Sequence, residues 1–137
     1  MYFEFPFDYG NLPGIGEIFY PVVTVELKTV VGWKKLEFLV DTGADVTTLP
    51  STFLPVLGLK KSQLKSSRTS GVGDIVVNTW EMKISVRIGA IEMEVAASAV
   101  DTNNKFSPLL LGRKDVFDGP FNLLLDSRRK VTVISQN

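Results

Sequence analysis

Apolar and polar residues alternate along much of the chain. Between Trp80 and Ile88 the apolar positions are Trp80, Met82, Ile84, Val86 and Ile88, interleaved with Glu81, Lys83, Ser85 and Arg87. A period of two sends successive side chains to opposite faces, which marks a strand with one buried face. Phe19, Val23, Val25 and Leu27 show the same pattern against Thr24, Glu26 and Lys28, and Leu36, Phe38 and Val40 continue it. After a Gly89-Ala90 turn it resumes at Ile91, Met93 and Val95, so this segment reads as a hairpin. Phe121 to Leu125 and Val131 to Ile134 form a last pair around a Ser127–Lys130 turn.

Helix signals are few. Ser51 can cap a short helix from Thr52 to about Leu57, ended by Gly58 and limited in length by Pro55. Arg113 to Phe117 is a second candidate, stopped by Gly119-Pro120. Many short strands with tight turns predict a compact all-β barrel or sandwich with one or two short helices. Residues 1–18 stand apart, because Tyr2, Phe3, Phe5, Phe7 and Tyr9 crowd aromatics among prolines and glycines. They read as an N-terminal aromatic arm, and residues 19–137 as one domain.

Composition narrows the chemistry by what it lacks. The 137 residues contain no cysteine and no histidine. That excludes thiol nucleophiles, Ser-His and Cys-His catalysis, and thiolate or imidazole metal sites. An enzyme built from this chain must work with carboxylates, lysine, tyrosine, hydroxyls or backbone groups. No P-loop, dinucleotide-binding glycine fingerprint or calcium loop is present, so neither cofactor nor metal is expected. Lys+Arg 15 balances Asp+Glu 15, which argues against a nucleic-acid partner. The basic clusters, Lys60, Lys61, Lys65 and Arg68 and then Arg128-Arg129-Lys130, read as solvated loops or turns. No signal peptide and no apolar run of about 18 residues is seen, so the expectation is a soluble protein, cytoplasmic by default, without a membrane partner.

The segment richest in chemistry is Leu39-Val40-Asp41-Thr42-Gly43-Ala44-Asp45. An apolar strand runs directly into an aspartate, a small hydroxyl residue and a glycine. Gly43 permits a sharp turn and a close backbone approach, and Thr42 offers a hydroxyl that can lock the turn. A carboxylate fixed at a strand end beside buried surroundings is one whose proton affinity the fold can tune.

With its context, this segment resembles the retropepsin family of single-domain aspartic proteases. Four features match in order: Phe38–Asp45 followed by Val46-Thr47-Thr48-Leu49-Pro50; Leu57-Gly58-Leu59 after a short helix; Ser70-Gly71-Val72-Gly73 before a long alternating strand; and Leu109-Leu110-Leu111-Gly112-Arg113-Lys114-Asp115. The likeness covers about residues 19–135. It implies a closed, retropepsin-like β-barrel with a flap hairpin. It also implies that Asp41 is the catalytic carboxylate on a turn made with Thr42, Gly43 and Ala44. Thr42 would brace two subunits through its hydroxyl, and Asp45 would pair with Arg113. Gly71, Val72 and Gly73 would form a flap closing over bound peptide.

Amide hydrolysis by carboxylates needs one base and one acid, which two close aspartates supply by sharing a proton. No second Asp-Thr-Gly exists: Asp101-Thr102-Asn103 lacks the glycine, and Asp126-Ser127-Arg128 sits at a hairpin. The second aspartate is therefore expected to be Asp41 of another copy, making a homodimeric endopeptidase acting on peptide or protein substrates. The alternative reading is a catalytically silent module of the same fold that dimerises or binds peptides.

Overall fold

The computed structural model describes residues 1–70, 73, 75–102 and 107–137. Among these residues the chain forms β1 (Tyr2–Pro6), β2 (Asp8–Leu12), β3 (Gly16–Tyr20), β4 (Val22–Thr29), β5 (Gly32–Val40) and β6 (Thr47–Pro50). It continues with β7 (Lys65–Ser70), β8 (Val76–Ile88), β9 (Ile91–Val100), β10 (Leu109–Leu111), β11 (Phe121–Asp126) and β12 (Val131–Gln136). Helical turns stand at Ser51–Phe53, Pro55–Leu57, Lys61–Gln63 and Arg113–Phe117. None of these is long and apolar enough to cross a membrane.

One sheet makes the body of the molecule. Its strands lie in the order β4-β5-β10-β6-β9-β8-β7. β4 also pairs with β8 through Glu26↔Arg87 and Leu27↔Val86, so the sheet closes on itself as a barrel, with β7 hung outside it. The alternation read from sequence is what closure requires: each strand turns one set of side chains inward. Val23, Val25 and Leu27, then Phe38 and Val40, then Ile84, Val86 and Ile88 are buried, and Val95, Leu109 and Leu111 join them. Burying side chains of this size contributes about 1.5–3 kcal/mol each.

The termini build a second, three-stranded sheet in the order β1-β12-β11. β1 is antiparallel to β12 from Tyr2↔Ser135 to Pro6↔Val131. Phe3 anchors it by lying over the Gly89-Ala90 turn. A Cβ on Gly89, whose φ is +60°, would fall 2.0 Å from the Phe3 ring, so only glycine suits the position. Arg129 reaches back to Glu4. That hydrogen bond, with the Glu4 charge, raises the guanidinium pKa above its ordinary value. The pair lies at the surface, where such contacts contribute little. β2 and β3 pair only with each other, across the residue-18 boundary drawn from sequence.

Two readings of the sequence need correction. Ser51 does not cap a helix: it is the first residue of its turn, after an extended Pro50 that makes no side-chain cap. Pro55, which has no N–H to donate, divides the segment into two single turns. Lys65 and Arg68 are not in a loop but on β7, paired with Glu81 and Asn78 of β8. β7 lies outside the barrel with mostly exposed side chains, so it carries no apolar alternation.

Candidate active site

β5 delivers Asp41. Its last residue, Val40, is buried and pairs with Leu111 of β10 in a parallel register. The Val40 N–H donates to the Pro21 carbonyl at 2.9 Å, and the Asp41 N–H donates to the Leu111 carbonyl at 3.0 Å. The backbone is thus held on both sides up to the aspartate. There the chain turns: the Gly43 N–H donates to Asp41 Oδ1 at 3.0 Å, and the Ala44 N–H to the Asp41 carbonyl at 3.1 Å. Asp41 is half-buried, while Thr42 and Gly43 are exposed.

Gly43 makes its close approach without a positive φ: a Cβ there would lie 3.2 Å from Asp41 Oδ1. One detail differs from the sequence reading. The Thr42 hydroxyl has no hydrogen-bond partner among the described residues, so within one chain it does not lock the turn. The Gly43 N–H does.

After the turn, the chain leaves as β6. β10 lies between β5 and β6, parallel to the first and antiparallel to the second. The segment after β10 runs along the turn as a strap. The Gly112 N–H donates to Thr47 Oγ1 at 3.2 Å, the Arg113 N–H to the Ala44 carbonyl at 3.1 Å and the Lys114 N–H to the Asp45 carbonyl at 2.9 Å. A Cβ on Gly112 would sit 2.3 Å from the Val46 carbonyl carbon, so this approach requires glycine. The expected pair also meets, with Arg113 Nη2 at 2.5 Å from Asp45 Oδ1. It is far from buried: the side chains are 48% and 88% exposed, respectively.

The roles of Thr47 and Asp115 were not foreseen. A fully buried threonine in an apolar strand is a signal in hindsight, since buried hydroxyls are nearly always hydrogen-bonded. Asp115 had no such signal. Its Oδ2 accepts the Ala96 N–H at 2.9 Å, a contact 19 residues distant in sequence.

The expected flap corresponds to the β7–β8 hairpin, paired from Lys65↔Glu81 to Ser70↔Val76. Gly73 lies exposed at its tip, with Ile75 and Val76 beside it. Gly71 and Val72, expected to touch substrate, lie outside the described residues. Among the described residues no group of three or more Asp or Glu carboxylates is placed to hold a metal ion.

Comparison with known proteins matches this architecture. The model of the gag-polyprotein aspartyl protease family matches residues 27–114, more than half of the chain. A retropepsin-like aspartic protease from Rickettsia conorii has a similar structure, with a TM-score of 0.64 at 17% identity, covering 97% of this chain and 98% of that one. The EIAV protease, solved in complex with the inhibitor HBY-793, gives a TM-score of 0.51 at 21% identity over 69% of this chain and 82% of its own. A comparison with curated protein sequences gave no match. At these identities the solved structures speak for the fold, and the family model speaks for kinship. With a closed barrel, an aspartate turn braced by a Gly-Arg strap and a β7–β8 hairpin, the chain belongs to the retropepsin-like aspartic proteases, in the gag-polyprotein aspartyl protease family.

Proposed function

We propose that this protein is an aspartic endopeptidase whose active site forms when two copies bring their Asp41 carboxylates together. The observation that carries this reading is the state of the Asp41 turn. Asp41 Oδ1 is fixed by the Gly43 N–H, while the turn it sits on, Thr42 and Gly43, is open to solvent. One oriented carboxylate on an open surface is half of an acid–base pair.

In the assembled pair, one carboxylate takes a proton from water as the water attacks the peptide carbonyl, and the protonated one donates to the substrate. The pair carries a single proton because two adjacent carboxylates resist joint ionisation. Each Gly43 N–H keeps its Asp41 oriented without being consumed. The free Thr42 hydroxyl is available to the partner copy. Gly71, Val72 and Gly73 would cover the bound peptide, and residues 19–137 would form the protease domain with 1–18 as its arm.

The test is incubation of the purified protein with a mixed peptide library, beside its Asp41→Asn variant, with products read by mass spectrometry. Cleavage by the wild type alone is expected, strongest at acidic pH, where the shared proton is retained. Equal cleavage by both proteins would overturn the assignment of Asp41. Dimerisation without cleavage by the wild type would favour a silent dimerisation or peptide-binding module.

A further inference from the structure

The strap that holds the Asp41 turn must itself be held. Arg113 and Lys114 supply its two backbone donors to Ala44 and Asp45. At the second of them the helical path breaks, with Lys114 at φ −58°, ψ 129° and Asp115 at φ 65°, ψ 0°. A non-glycine residue in the left-handed region is uncommon and needs its surroundings to keep it there. Asp115 has those surroundings on both sides. Its N–H donates to Asp118 Oδ1 at 2.6 Å, and its Oδ2 accepts the Ala96 N–H at 2.9 Å.

Ala96 is significant by position. It directly precedes Ala97, the residue of β9 that pairs with Thr47 where β6 begins. Thr47 in turn accepts the Gly112 N–H. A closed circuit results: turn to β6, β6 to β9, β9 to the Asp115 carboxylate, and Asp115 back through Lys114 and Arg113 to the turn. The exposed Arg113–Asp45 ion pair lies outside this circuit, and solvent weakens it.

We infer that Asp115 is the positioning residue of the active site, its carboxylate fixing the strap that orients the Asp41 turn. Lys114 Nζ, 3.7 Å from Asp115 Oδ1, is a surface companion, not part of the lock. The kinetic part of this inference rests on the protease reading. The structural part does not.

Two variants separate the carboxylate from the backbone shape. Asp115→Gly suits a φ of 65° better than aspartate does and removes the acceptor together with its surface contact to Lys114. Asp115→Asn keeps a carbonyl oxygen for the Ala96 N–H and also tolerates the left-handed region. Amide hydrogen exchange on the full chain is the first readout. In the Gly variant, Ala96, Arg113 and Lys114 amides are expected to exchange about tenfold faster, with the Asn variant close to wild type. Peptide cleavage is the second: kcat is expected to fall about tenfold in the Gly variant with KM little changed, and to recover with Asn. Unchanged exchange at Arg113 and Lys114 in the Gly variant would overturn the inference. So would an Asn variant as damaged as the Gly variant. If the wild type proves inactive on peptides, the protease reading fails, while the exchange result still decides the role of Asp115.

Discussion

Asp41 directly follows β5 and Asp126 ends β11, and each folds its carboxylate back onto the turn that comes next. Asp41 Oδ1 accepts the N–H of Gly43 at 3.0 Å. Asp126 Oδ1 accepts the N–H groups of Arg128 and Arg129 at 3.1 and 3.0 Å. By local geometry Asp126 is the better held. Its turn joins two strands that pair with each other, Asp126↔Val131 closing the β11–β12 ladder, and distant chain adds the Phe7 N–H, which donates to the Lys130 carbonyl at 3.0 Å. The Asp41 turn joins β5 and β6, which are separated by β10. Its carbonyls must find donors elsewhere, and they find them in the 112–114 strap. The same local motif is closed mainly by its own hairpin in one place and held between non-adjacent strands by distant chain in the other. Dependence is what lets a site be positioned by the whole fold.

Replacing each aspartate by asparagine should separate the two most sharply. An amide oxygen can accept the same N–H, so both variants should fold. Asp41→Asn is expected to lower peptide cleavage by about 100- to 10,000-fold, the range lost with an acid–base group. Asp126→Asn should leave cleavage within about twofold. Comparable losses in the two, measured with one peptide substrate, would undo the distinction.

The next effect concerns dependence on distant chain. Gly112→Ala places a Cβ 2.3 Å from the Val46 carbonyl carbon, and neither backbone can yield without opening the strap. A destabilisation of about 3 kcal/mol in urea unfolding is expected. Ser127→Ala, in the exposed Asp126 turn, should stay within about 0.5 kcal/mol. Thr47→Val comes below Gly112→Ala. It keeps the volume but leaves the buried Gly112 N–H without its acceptor, at a cost of about 1–3 kcal/mol. Thr132 provides the opposite case beside the Asp126 hairpin. Its hydroxyl is buried with no hydrogen-bond partner, so Thr132→Val should be neutral or stabilising by about 1 kcal/mol.

These contrasts also explain what could be read from sequence. The barrel strands β4, β5, β8 and β9 were legible because each buries one face, and alternation records that directly. β7 left no such record because it lies outside the barrel. The β2–β3 hairpin was hidden by Gly10, Asn11 and Gly16, although Pro13-Gly14 at its tip is a turn signal. At the candidate site, Asp41, Gly43, Asp45 and Arg113 stood out through their motifs, and the structure brings all four together. Asp115 could not be identified as a contact of Ala96, because nothing local specifies which strand crosses beside it. Such residues are chosen by topology, and a single sequence carries topology only indirectly.

The smallest expected effect tests whether the motif's most visible side-chain pair holds the turn. Arg113 and Asp45 meet at 2.5 Å, yet the Asp45 side chain is 88% exposed. An ion pair so open to water typically contributes at most about 1 kcal/mol, and salt screens it. Arg113→Gln leaves the backbone donors at residues 113 and 114 in place, so the loss should be no more than that and should fade in high salt. Arg129→Gln, which removes the surface contact with Glu4, should behave the same way. If Arg113→Gln instead costs several times more than Arg129→Gln, and the difference survives high salt, the guanidinium rather than the strap holds the turn. The contrast between the two aspartate turns would then rest on a side chain, not on backbone lent by a distant segment.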